Sequence, residues 1–144
     1  MTLKTLSGGI SYLIQDLFAS HGNTPEQFLL DMARASLYDR DLDAGAAGLT
    51  LERWMRTHSI SEVNQPRTNR RILVVCAALA ELFAERAGQE PPSWTAQVGG
   101  FDEPFYFFPL ARENAGFRAE LERQTPEPLR CRNLYATKNY LKHV

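Results

Sequence analysis

The chain has 144 residues, a 44% apolar share, 23% charged residues and a net charge of −1. That is enough chain for one packed domain without covalent staples, and it argues against long-range disorder and against a global electrostatic pull toward nucleic acid or membrane. Its two cysteines, Cys76 and Cys131, make no disulfide framework and no zinc site.

The first predicted element is an amphipathic helix, with Ile10, Leu13, Ile14, Leu17 and Phe18 on one face, Ser7 as N-cap and Gly22 as stop. The run is broken by Ser, Gly and Asp16, so it does not read as a signal peptide. In "TPEQF", Thr24 can cap, Pro25 suits the first helical position and Gln27 completes a capping box. A second helix is therefore expected from Pro25 to about Tyr38, with Phe28, Leu29, Met32, Ala33 and Leu37 inward. "DRDLDAGAAG" reads as a surface loop because of its Asp and Gly content. Thr50 then opens a third helix, Leu51 to His58, and "SEVNQPRTNRR" reads as an internal linker.

The strongest helix signal is "TNRRILVVCAALAELFAERAG", spanning Asn69 to Ala87 with Thr68 as cap and Gly88 as stop. It is apolar around most of its circumference, which places it in the middle of a bundle. At Ile72 to Ala80, the longest apolar stretch is too short to span a bilayer, and the chain reads as cytoplasmic. "QEPPSW" turns the chain, and "FDEPFYFFP" reads as a short extended or irregular aromatic segment. A further helix is expected from Ala111 to Gln124, with Phe117 and Leu121 inward, ended by Pro126 and Pro128. The last twenty residues are expected to run extended and then make one turn capped by Thr137. The fold class is all-α: one domain over residues 1–144, a bundle of about five helices with a docked C-terminal tail.

Three groups of residues carry candidate chemistry. Arg53 and His58, with four residues between them, resemble the motif of HEPN ribonucleases, an all-α family. There the pair acts on the phosphate and the ribose hydroxyl by acid–base chemistry. Trp54 stands where that family has a polar residue, and the alternative is an exposed helix end. Arg67, Arg70 and Arg71 precede an apolar helix and form a candidate anion or nucleic-acid site, the latter as in a transcriptional regulator. From Thr125 onward four basic residues meet one acidic residue. Arg130, Arg132, Tyr135 and Lys138 of this tail are the candidate partner-binding residues. In an extended segment Arg130 and Arg132 point to one side, in register for an acidic partner. The alternative is that one of them pairs with an acid of this chain, such as Glu120 or Glu122. No metal ligand set and no cofactor motif is evident.

The second half, about residues 79–144, resembles small uncharacterised bacterial proteins. The resemblance rests on "LAELFAERAGQEPPSW", "EPFYFF" and "PEPLRCRNLYATKNYL". It lands on Pro92, Trp94, Phe105, Pro126, Arg130, Arg132, Asn133, Leu134, Tyr135 and Leu141. It departs at Cys131, where a third basic residue is expected, and at Gln124-Thr125, where an acidic residue and a serine are expected. The resemblance implies a partner class, a nucleotidyltransferase-like neighbour in an arrangement like a toxin–antitoxin pair; the function expected is non-enzymatic protein binding, within a toxin–antitoxin or defence pair.

Overall fold

The computed structural model describes residues 24–142. The predicted helix around Ile10 to Phe18 lies outside the described residues. Among the described residues five helices run in the order α1 (Pro25–Leu37), α2 (Asp41–Met55), α3 (Arg70–Ala87), α4 (Ala115–Gln124) and the single turn α5 (Glu127–Arg130). Two two-residue strands, β1 (Phe105–Tyr106) and β2 (Leu134–Tyr135), pair in parallel, with Phe105 opposite Leu134 and Tyr106 opposite Tyr135. The all-α class holds.

α1 starts as its sequence dictates: the Thr24 hydroxyl accepts the Gln27 amide at 3.1 Å, and Pro25 occupies the first turn. The segment read as a loop is instead the first half of α2, which begins ten residues before the expected Leu51 and ends at Met55, not His58. Asp41 and Asp43 sit in its first turn, where carboxylates favour the helix N-terminus. Ala44 and Gly48 are buried, and α2 packs along α1 more extensively than any other pair of elements. The small residues that suggested a loop are thus a packing face.

α3 is the central helix. Val74 to Ala80 are all buried, with Leu79 fully enclosed. Burial of a side chain such as Leu79 contributes about 1.5–3 kcal/mol. Asn69, not Thr68, is the N-cap, accepting the Ile72 amide at 2.9 Å. Gly88 closes the helix at φ 67°, a left-handed position that suits glycine. The expected linker is packed rather than loose. Val63 and Pro66 are buried, and Trp94 donates its indole N–H to the Val63 carbonyl at 2.9 Å.

After β1 the chain makes a 3-10 turn over Pro109–Arg112, and α4 begins only at Ala115, capped by Asn114. The single helix expected from Ala111 is therefore split. Leu121 points inward as expected, but Phe117 is exposed. The tail docks through Leu129, Leu134 and Ala136, all buried in the same core as α1 and α3.

Candidate functional site

Tail geometry differs from the extended reading. Pro126 and Glu127 start a helical turn, so Arg130 and Cys131 lie in or beside a helix. Arg130 and Arg132 therefore do not line up on one side. Arg132 is buried at 6% exposure. Its guanidinium grips Glu81 of α3 with both terminal nitrogens, at 2.6 and 3.0 Å. It also donates to the carbonyls of Thr95 at 2.9 Å and Pro128 at 3.2 Å. Burial opposes ionisation of Glu81, but the hydrogen bond and charge of Arg132 outweigh it and hold the carboxyl below its usual range. The acid that pairs with Arg132 is thus neither Glu120 nor Glu122. This arginine binds the tail to the central helix and presents nothing to a partner.

Arg130 is exposed. It donates to the Thr125 carbonyl at 2.7 Å, just past the end of α4, and reaches Glu127 at 3.4 Å. Lys138 lies at the same end of α4, its backbone N–H donating to Gln124 Oε1 at 2.9 Å. Tyr135 stacks on Tyr106 with ring centroids 5.1 Å apart, and Tyr106 donates its hydroxyl to Glu122. Burial and the Glu122 carboxylate push the Tyr106 phenol up to about 12.

Arg53 and His58 are both exposed near the C-terminal end of α2. His58 stacks flat on Trp54, centroids 4.5 Å apart, with Nδ1 3.1 Å from the Trp54 carbonyl oxygen. Among the described residues no hydrogen bond or ion pair joins the Arg53 and His58 side chains. Trp54, the residue foreign to the ribonuclease motif, holds the imidazole together with the Thr57 hydroxyl, 3.0 Å from Nδ1.

Of the arginines around the start of α3, Arg67 is exposed and Arg70 donates to the Gly100 carbonyl at 3.1 Å. Arg71 lies over the rings of Phe101 and Phe105, 5.0 and 5.3 Å from their centroids. Arg112 covers Phe105 as well, at 4.7 Å. Asp102 and Glu103 border the same hollow as Arg70 and Arg71, which reduces its attraction for a polyanion.

A further surface feature lies at and after the end of the aromatic segment. Phe108 (37% exposed), Leu110 (58%) and Phe117 (43%) stand out from the 3-10 turn and the start of α4. The two phenylalanines meet edge to face at 5.6 Å. Arg112, beside them, holds Asp39 with two bonds of 2.8 and 2.9 Å, which ties the ledge to the turn between α1 and α2. Tyr38 and Leu42, exposed at 60% and 90%, flank that turn. Comparison of the chain with protein-family models, with curated proteins and with solved structures finds no match. The geometry alone therefore ranks the surfaces. Among the described residues no group of three or more His, Cys, Asp or Glu side chains is placed to hold a metal ion. No described helix is long and apolar enough to cross a membrane.

The "FYFFP" run was the available signal for the ledge. The Asn114 cap would have shown that α4 starts at Ala115.

Proposed function

We propose that this chain is a non-enzymatic protein-binding domain whose contact surface is the ledge of Phe108, Leu110 and Phe117. The exposed aromatic pair at the start of α4 is the observation that supports this reading. Large aromatic side chains left in water are enriched at protein contact sites. The second element is the other end of α4, roughly 10 Å away at helical rise, where Arg130 and Lys138 add exposed positive charge. The partner therefore offers an apolar anchor for the ledge and an acidic group for Arg130 and Lys138. The partner class implied by the resemblance is a nucleotidyltransferase-like protein in a toxin–antitoxin or defence pair.

The test is co-expression with the product of the adjacent gene, followed by co-purification. A stable complex that is lost in Phe117→Asp and weakened by salt and by Arg130→Glu/Lys138→Glu supports the proposal. A complex indifferent to Phe117→Asp moves the contact elsewhere. Cleavage of total RNA by the wild type that vanishes in His58→Ala replaces this reading with the ribonuclease, and sequence-specific DNA retention replaces it with the regulator.

A further inference from the structure

A second feature lies between the C-terminal ends of α2 and α3. A pocket of about 230 Å³ is lined by Glu52, Met55, Arg56, Phe83, Arg86 and Ala87. Its walls are apolar at Met55, Phe83 and Ala87, and two guanidinium groups border it. Arg86 donates through Nη2 to the Lys138 carbonyl at a long 3.3 Å. Its Nη1 is shielded from solvent and has no hydrogen-bond acceptor. A buried donor of this kind forgoes a bond worth having, and native interiors contain few of them. Burial disfavours the Arg86 charge, against the support of Glu52 and Glu85. Once the guanidinium turns toward the pocket, an anionic oxygen there would satisfy the donor and the charge together.

We propose that this pocket binds a small monocarboxylate with a branched or aromatic apolar body. The carboxylate meets Arg86 and Arg56, and the apolar body lies against Met55, Phe83 and Ala87. The volume suits such a ligand, being roughly eight times the share of one liquid water. Arg86 reaches the ligand by a turn of its guanidinium that gives up the weak bond to Lys138. This inference is independent of the aromatic ledge.

The probe is isovalerate, followed by NMR of the Met55 and Ala87 methyl groups and the Arg86 Nε–H, with neutral isovaleramide as the control. Expected is saturable binding at about 1 mM, the range open to so few atoms, with the amide at least about tenfold weaker, as for loss of a charge-assisted bond. Ala87→Leu, which fills the pocket and leaves the guanidinium in place, should abolish the shifts. Arg86→Gln should reduce affinity to that of the amide. The proposal is overturned if isovaleramide binds equally well, if the shifts survive Ala87→Leu, or if isovalerate gives none at about 50 mM, far above that affinity.

Discussion

Replacing Arg132 with Met tests whether the tail arginine holds the fold together. The change keeps an unbranched stem and removes both bonds to Glu81, at 2.6 and 3.0 Å, together with the donors to the Thr95 and Pro128 carbonyls. The Glu81 side chain is only 23% exposed, so its carboxylate is left largely dry and unpaired. Breaking a buried pair by removing one partner costs about 3–5 kcal/mol. Partial access of water to Glu81 brings the expectation to the lower end, about 3 kcal/mol, or a fall in Tm of roughly 10 °C for a chain of this size. The internal control is Arg130→Met, whose ion pair is 3.4 Å long with side chains 42% and 70% exposed. Such pairs contribute about 0–1 kcal/mol. Urea unfolding followed by tryptophan fluorescence reads both variants. In Glu81→Met/Arg132→Met part of the loss should return, because no charge is then buried without its partner. Equal effects of the two single substitutions, or a loss below about 1 kcal/mol for Arg132→Met, would refute the keystone role.

Gly100→Ala should destabilise by about 1–3 kcal/mol, because the added methyl carbon would lie 2.6 Å from the Arg132 Cα, against backbone that cannot swing aside; calorimetry measures it. Glu81 titrates below its ordinary value of 4.5 in the folded chain. The stability this contributes is present above about pH 4.5 and is lost as pH falls through the folded value. The advantage of the wild type over Arg132→Met should therefore narrow on acidification below that pH in urea titrations. An advantage that widens on acidification contradicts the linkage.

The parts of the fold that were legible carried local chemistry. Thr24-Pro25 announced α1, and the apolar run from Ile72 to Ala80 announced α3 together with its Gly88 stop. α2 was misread because Asp41, Asp43, Gly45 and Gly48 are loop formers in isolation. Their placement in a helix is decided by packing against α1, which no local window contains. The same limit applies to the candidate site. Arg130 and Arg132 are two positions apart in sequence, yet one is exposed and the other buried. What separates them is Glu81, 51 residues upstream of Arg132. Phe117 shares the helix face of buried Leu121, and only the tertiary placement of the first turn of α4, which no local window contains, leaves it exposed.

The docking of the tail also sets an order of events during synthesis. Glu81, the Thr95 carbonyl and the Phe105–Tyr106 strand wait for partners that the ribosome delivers only with Arg132, Leu134 and Tyr135. Until those residues have cleared the exit tunnel, α3 has an unpaired carboxylate and an open core edge where Leu129 and Leu134 belong. The nascent chain can form α1 through α3, but its core closes in one late step. A pause or a truncation anywhere before residue 132 thus leaves apolar surface exposed on an otherwise helical chain, the condition that recruits chaperones and proteases.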